Sequence, residues 1–331
     1  MNYSHKRKLF FIIVLVFFLI SIFTACNDTN QEIQDNKDLT EDLPKFSVNF
    51  IDVDNGECIL INTENGKCIL IDTGLKSTYN VLKEKLSSLK ITTIDYLILT
   101  NPSSEHVGAV EELLIDFTVN FSYIPKILDL SIFPSFSKAL DTLNSKQIQT
   151  KISYINEYIL IDGCKLAFLT PEKGLNDAYS QLNSEFSPSK YQIGNASPII
   201  YFEYNLVRFL FTGDADKTQE KLVIENYKNN LYKNAFKYYG LELNLENIDF
   251  LKVSSGGDSN ATSIEFLELI NPKNAVISVS SRNPNCPSSS VISRLINGRD
   301  NYGLYRTDVH GTVSVYVDGE GKYLINTQKK V

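Results

Sequence analysis

The chain has 331 residues, 43% of them apolar and 11% aromatic, which suits one large globular core in which most Phe and Tyr serve packing. Its formal charge of −7 excludes the basic balance expected of a free-standing nucleic-acid binder. Three histidines, His5, His106 and His310, exclude any centre built from several neutral imidazoles.

Residues 1–25 carry Lys6, Arg7 and Lys8, then an apolar run from Leu9 to Phe23 broken by Ser21, then Thr24-Ala25-Cys26. The run is shorter than the ~20 residues a spanning helix needs, and small residues precede the cysteine. The segment resembles a bacterial lipoprotein signal, with an uncleaved signal anchor as the alternative. Cleavage would leave Cys26 as a lipidated N-terminus, anchored to the cell membrane from the extracytoplasmic side. The leader holds three of the 32 basic residues and none of the 39 acidic ones, so the remainder carries a charge of −10.

Residues 26–45 are polar and acidic, with little apolar surface to bury, and read as a flexible stalk ahead of a folded domain over 46–331. Alternating apolar runs at Phe46 to Val53, Cys58 to Asn62 and Cys68 to Asp72 predict a β-meander. Helical spacing follows over Thr78 to Leu89. Strand Ile94 to Thr100, helix Glu105 to Ile115 and strand Lys126 to Leu130 read as a β-α-β unit. Helix Ser135 to Asn144 and strands near Ile152, Tyr158 to Ile161 and Lys165 to Leu169 close the first half.

The second half repeats the style, with strands Ile199 to Tyr204, Leu206 to Thr212, Phe250 to Val253, Ala275 to Val279, Gly303 to Arg306 and Thr312 to Val317. Helices near Lys217 to Tyr227, Ser263 to Ile270 and Ser288 to Ile296 separate some of them. Stretches 172–191 and 229–244 interrupt the frame as loops or local helices. Two halves of alternating strands and helices predict an α/β fold, an αββα sandwich of two mainly mixed sheets flanked by helices. Cys58, Cys68, Cys164 and Cys286 are expected as buried free thiols.

The segments FIDVDNGECILINTENGKCILIDTG (50–74), LILTNPSSEHVG (97–108), FLFTGDADK (209–217), LKVSSGGDS (251–259) and TDVHGTVSV (307–315) together resemble the metallo-β-lactamase superfamily, in particular the soluble domain of ComEC-type competence (DNA-uptake) proteins. The resemblance runs from about Phe46 to Ile325 and implies the same sandwich and a dinuclear metal site of histidines and aspartates. Against that pattern the site is degenerate. Asn101, Ser103, Ser255, Gly256 and Cys286 stand where the family carries histidines, Glu105 stands for an aspartate, and His106 and Asp214 are kept. Asp72 matches a supporting carboxylate. The resemblance places all of these on one edge.

Three readings of that edge are open. In the first it hydrolyses nothing, no cofactor is bound, and the protein is a pseudoenzyme. In the second, Glu105, His106, Asp214 and Cys286 hold one zinc or manganese ion, giving a mononuclear hydrolase acting on phosphodiesters of nucleotides or nucleic acid. In the third, Asn101, Ser103, Ser104, Ser254, Ser255 and Asn260 form a hydroxyl- and amide-rich pocket for a small molecule, glycan or peptide. Each residue also has a structural role open to it: hydrogen bonding of the turn for His106, helix N-terminal charge for Glu105, helix capping around Asp214 to Asp216, loop support for Asp72. A serine hydrolase using Ser103 or Ser255 lacks a nucleophile-elbow motif. The expectation is a membrane-anchored lipoprotein that binds without hydrolysing, with the membrane as partner through its lipid and nucleic acid by family analogy alone.

Overall fold

The computed structural model describes residues 43–127, 129–172, 194, 196–237, 240, 242–297 and 302–330. The signal segment, most of the stalk and nearly all of the 172–191 stretch lie outside them. A compact unit spans Pro44–Val331.

The first half runs β1 (Phe46–Phe50), β2 (Ile59–Asn62), β3 (Cys68–Ile71), α1 (Tyr79–Ser88), β4 (Thr93–Ile98), α2 (Ser104–Val107), α3 (Val110–Asp116), β5 (Thr118–Ile124), α4 (Pro134–Ser145) and β6 (Gln149–Ile152). The second runs β7 (Tyr158–Ile161), β8 (Cys164–Phe168), β9 (Ile200–Tyr204), β10 (Val207–Phe211), α5 (Lys217–Lys228), α6 (Leu231–Phe236), β11 (Phe250–Lys252), α7 (Ile264–Ile270), β12 (Asn274–Ile277), α8 (Ser289–Ile296), β13 (Gly303–Arg306), α9 (Thr307–His310), β14 (Val313–Val317) and β15 (Tyr323–Thr327).

These strands form an eight-stranded sheet in the order β15-β14-β1-β2-β3-β4-β5-β6 and a seven-stranded sheet in the order β13-β12-β11-β10-β9-β8-β7. Both are mixed. The pairs β3·β4, β4·β5 and β5·β6 are parallel, as are β10·β11, β11·β12 and β12·β13, and the remaining pairs are antiparallel.

Alternate residues on the central strands serve two different cores. Phe46, Val48, Ile61, Ile71, Phe202 and Phe209 point between the sheets. Leu60, Leu70 and Leu97 point outward to meet Leu82, Leu86, Val110 and Leu113 on the helices of the first sheet. Leu210, Leu251 and Ile277 do the same with Val223, Phe266, Val291 and Leu295 on the second. Three cores separate four layers, the αββα sandwich expected from the sequence.

Four expectations need correction. The helix expected over Glu105 to Ile115 is two helices with a break at Gly108 and Ala109. The break lets Gly108 pass close to the chain that follows β3, where an added Cβ would lie 2.9 Å from the Lys76 amide nitrogen. The strand expected at Lys126 to Leu130 lies earlier, at β5, in parallel register with β4 from Thr93↔Thr118. Pro125 ends it, and Ile127 and Leu130 pack into the helix layer. β15 was not anticipated, because its residues are no more than half-buried on an edge and show little apolar alternation. Cys58, Cys68 and Cys164 are buried free thiols as expected, whereas Cys286 is half-exposed. In the 229–244 stretch, α6 supplies Tyr232 and Phe236 to the core.

Phe202 packs against Phe46, Phe209 and Phe211 at ring-centroid separations of 5.8–6.1 Å, joining strands of both sheets. Phe202→Ala is expected to cost about 3–5 kcal/mol in chemical denaturation. A loss below about 1 kcal/mol would contradict a close-packed interface between the sheets.

Candidate functional site

The parallel strands β3 and β4 of one sheet and β10, β11 and β12 of the other end on the same edge, where the loops carry Asp72, Asn101, Asp214, Ser255 and Ser278. Carboxyl ends of parallel strands are where α/β sheets place ligands, since the chain leaves each strand there and is free to present polar groups.

Asp72 follows β3 in a left-handed backbone conformation (φ 58°) and has no exposed surface. Its Oδ1 accepts the Thr100 amide at 2.7 Å, and its Oδ2 lies 2.7 Å from His106 Nδ1. His106, 3% exposed, is also held through its backbone: its amide donates to Ser103 O at 3.0 Å, and its carbonyl accepts the Thr73 amide at 2.7 Å. The other ring nitrogen, Nε2, lies 3.2 Å from Asp214 Oδ2. Burial alone would push the imidazole down; the Asp214 and Asp72 carboxylates outweigh it and hold His106 well above the ordinary histidine range. Each ring nitrogen of His106 thus faces a carboxylate, Asp72 at Nδ1 and Asp214 at Nε2.

Asp214 enters from the opposite sheet, just after β10. Asn101 Nδ2 lies 3.3 Å from Asp214 Oδ2 and 3.3 Å from Ser197 Oγ, while Asn101 Oδ1 accepts the Ser103 amide at 2.9 Å. Asn101 thus donates to the same Asp214 oxygen that faces His106 Nε2.

Two further charges complete the site, and the sequence reading assigned neither. Glu57 and Lys252 are 4% and 1% exposed and form an ion pair between the two sheets. Lys252 Nζ also donates to Gly213 O at 3.0 Å. Burial pushes the Glu57 carboxyl above the ordinary carboxylate range, and the Lys252 ammonium opposes that push. Glu57 Oε1 is buried with no hydrogen-bond partner among the described groups. One oxygen of Glu57, one nitrogen of His106 and one oxygen of Asp214 all lie within 4.8 Å of one another, a spacing that could hold a metal ion. The available signals were a lysine inside the apolar run FLKV and a glutamate inside GECILI.

The expected residual ligands are distributed differently. His106 and Asp214 meet. The Glu105 carboxylate lies at the rim, where Asn55 Nδ2 donates to it at 2.5 Å, and Asn283 Nδ2 reaches Asn55 Oδ1 at 3.2 Å. Cys286 Sγ donates to Ser255 O at 3.8 Å. Ser255, in a left-handed conformation (φ 49°), spends its hydroxyl on Asp214 O at 3.3 Å, and Ser254 spends its own on Ala215 O. Gly256 lines the cavity beside them. The expected hydroxyl-rich pocket is thus partly consumed by backbone contacts. The cavity between Glu57, Glu105, His106, Asp214 and Ser278 measures about 90 Å³, room for about three waters and far below the several hundred Å³ of organic-ligand pockets.

His310 lies elsewhere, with Nδ1 accepting the Arg306 amide at 3.0 Å. Asp216 caps α5 by accepting the Thr218 amide at 2.8 Å, and Asp258 turns its own loop through the Asn260 amide at 3.0 Å.

Because the folded His106 value lies above the unfolded one, its contribution to stability is full below about pH 6.5 and is lost as pH rises through the raised value. In the chelator-treated protein, ¹⁵N NMR is expected to show both ring nitrogens protonated at pH 7.5. A neutral ring at that pH would contradict the two-sided carboxylate clamp.

Residues 51–138 match the family model described as the metallo-beta-lactamase superfamily. Over 233 residues the chain is 25% identical to ComE operon protein 3 of Bacillus subtilis (strain 168), covering 70% of this chain and 26% of the relative, so it spans about a quarter of that protein. Among solved structures, similarity extends to CmlA, a diiron β-hydroxylase from Streptomyces venezuelae, at 11% identity and a TM-score of 0.49, covering 83% of this chain and 54% of that one. It extends also to the metallo-beta-lactamase fold protein YhfI from Bacillus subtilis, at 10% identity and a TM-score of 0.46, covering 85% of this chain and all of that one. Over residues 51–138 the chain thus matches a metallo-beta-lactamase superfamily domain.

Proposed function

We propose that the protein is a membrane-anchored extracytoplasmic lipoprotein whose metallo-β-lactamase-like domain binds without hydrolysing. The observation that carries the reading is the double engagement of His106: both ring nitrogens face carboxylates, and Asn101 donates to the same Asp214 oxygen. Protein donors thereby occupy the places around Asp214 that cations would take. Asn101, Ser103, Ser255 and Gly256 offer neither imidazole nor charge, so the chain does not fit two ions.

The cavity is too small for a glycan, peptide or nucleotide, so such a ligand would lie across the rim formed by Asn55, Glu105 and Asn283. A role in DNA uptake rests on similarity to a quarter of ComE operon protein 3, and the acidic charge does not favour unaided DNA contact. Among the described residues no helix is long and apolar enough to cross a membrane. Anchoring at Cys26 is read from the leader sequence ending in Thr24-Ala25-Cys26.

A second reading, a mononuclear metal-dependent hydrolase, is favoured by the partnerless buried Glu57 Oε1. The residues fit one ion: Glu57, His106 and Asp214 supply two carboxylates and an imidazole, a donor set suited to zinc or manganese. Such an ion would lower the pKa of water and polarise a phosphodiester. Asp72 would fix the ring by accepting from Nδ1, and the closed rim would have to open to admit substrate.

Two experiments test these readings. Protein purified without chelator from zinc- and manganese-supplemented cells is expected to hold substoichiometric metal and to leave bis(p-nitrophenyl) phosphate intact. One equivalent of metal that His106→Ala removes, together with turnover, would establish the second reading instead. Cys26→Ser is expected to abolish incorporation of labelled fatty acid and release the chain from membranes; unchanged membrane retention would contradict lipid anchoring.

A further inference from the structure

One wall of the cavity beside His106 belongs to a loop that is anchored at both ends and exposed between them. Before it, the Val279 amide donates to Thr307 Oγ1 at 2.9 Å and the Thr307 hydroxyl donates to Val279 O at 3.0 Å. After it, the Ser288 amide donates to Gly257 O at 2.9 Å, and Pro287 sits so close that a Cβ added to Gly257 would lie 2.7 Å from Pro287 Cβ. Between these anchors Ser281, Arg282, Pro284 and Asn285 are exposed, and Asn283 lines the cavity. Among the described residues, two polar contacts tie residues 281–285 to the domain beyond the loop: Arg282 Nη2 donates to Asp54 Oδ2, and Asn283 Nδ2 donates to Asn55 Oδ1 at 3.2 Å. At the foot of the loop Ser280 Oγ donates to Asp54 Oδ1. Asp54 and Asn55 belong to the β1–β2 loop, which is fixed. Val53 is 1% exposed, the Glu57 amide donates to Glu105 O at 3.0 Å, and a Cβ added to Gly56 would lie 2.8 Å from that same oxygen.

We propose that residues 281–285 are a hinged flap over the cavity, latched by Arg282 on Asp54 and by Asn283 on Asn55, and that release of this latch admits a ligand to the site. The inference concerns access alone and goes beyond either reading of what the site then does. The latch is built to be weak. The Arg282 side chain is 80% exposed and that of Asp54 27%, and ion pairs this wet hold their partners little and are screened by salt. A segment held by exposed polar contacts, with few buried apolar ones, opens locally far more readily than the whole domain unfolds. Opening takes Asn283 out of the cavity wall, so a space of about 90 Å³ becomes continuous with solvent and larger ligands come within reach of Glu57, His106 and Asp214. Ser278, just before the flap, lines the same cavity with a buried hydroxyl that has no hydrogen-bond partner among the described groups, and this position reports access from inside.

The test introduces a thiol there, S278C in a full-length C286S chain, and follows its modification by methyl methanethiosulfonate with peptide mass spectrometry, the C286S chain alone giving the background of the other cysteines. Adding R282A is expected to raise the rate roughly two- to fivefold, and adding D54A roughly tenfold, since D54A also loses the Ser280 bond. The combination D54A/R282A should be no faster than D54A, and chemical-denaturation midpoints should not move. Sodium chloride is expected to speed modification while the latch is intact and to do so less in R282A. Electrostatics alone would act differently: losing the guanidinium would raise the thiol pKa and slow the reaction, whereas losing the carboxylate would quicken it. Acceleration in both variants therefore identifies opening. An unchanged or slower rate in R282A, or accelerations matched by an equal loss of global stability, would each overturn the proposal.

Discussion

Asp72 holds a carboxylate with no exposed surface at the point where β3 leaves the first sheet, and the arrangement of the edge depends on how that charge is compensated. Its Oδ1 fixes the start of the loop after β4 through the Thr100 amide, and its Oδ2 fixes the His106 ring. The ring in turn presents Nε2 to Asp214 from the opposite sheet. A chain of contacts carboxylate–imidazole–carboxylate therefore crosses the sandwich, and the Glu57–Lys252 pair crosses it a second time nearby. Asp72, His106, Glu57 and Lys252 are buried and Asp214 is only partly exposed, so loss of one partner leaves a poorly solvated charge behind.

This pattern explains how a fold whose resemblance implies a dinuclear metal centre can hold together with so few imidazoles. Clustered carboxylates at the ends of β3 and β10 repel one another unless positive charge or hydrogen-bond donors intervene. Here the His106 ring between two carboxylates, which hold it well above the ordinary histidine range, the buried Lys252 and the Asn101 amide supply them. The same groups leave a cavity sized for water or one ion, which places any larger ligand outside on the rim.

Much of the fold was legible because its strands are buried on both faces and read as apolar runs bounded by turns such as Asn65-Gly66. The β-meander, most helices and the four-layer order follow from those runs. The failures have local causes. Gly108 splits a periodic helix because backbone passes too close for a side chain, and β15 hides on an edge that needs little apolar surface. At the site, His106, Asp214, Asp72 and Asn101 were legible from their motifs. Glu57 and Lys252 were not, since they lie far apart in sequence and a buried ion pair has no local signature; an isolated charge in an apolar run was the available hint. Glu105 and Cys286 looked like ligands by motif position, yet Glu105 bonds Asn55 and Cys286 bonds Ser255 O.

The central claim is that this edge is neutralised by the protein's own cations, and a double-mutant cycle of His106→Asn and Asp214→Asn in the presence of chelator tests it most directly. A self-neutralised cluster predicts that Asp214→Asn destabilises the metal-free protein and that the two positions couple favourably, by roughly 1.5–3 kcal/mol for a charged hydrogen bond. A preformed metal site stripped of its ion predicts the reverse: Asp214→Asn would relieve repulsion among carboxylates and stabilise the metal-free protein, with no favourable coupling to His106, and that result would contradict the account.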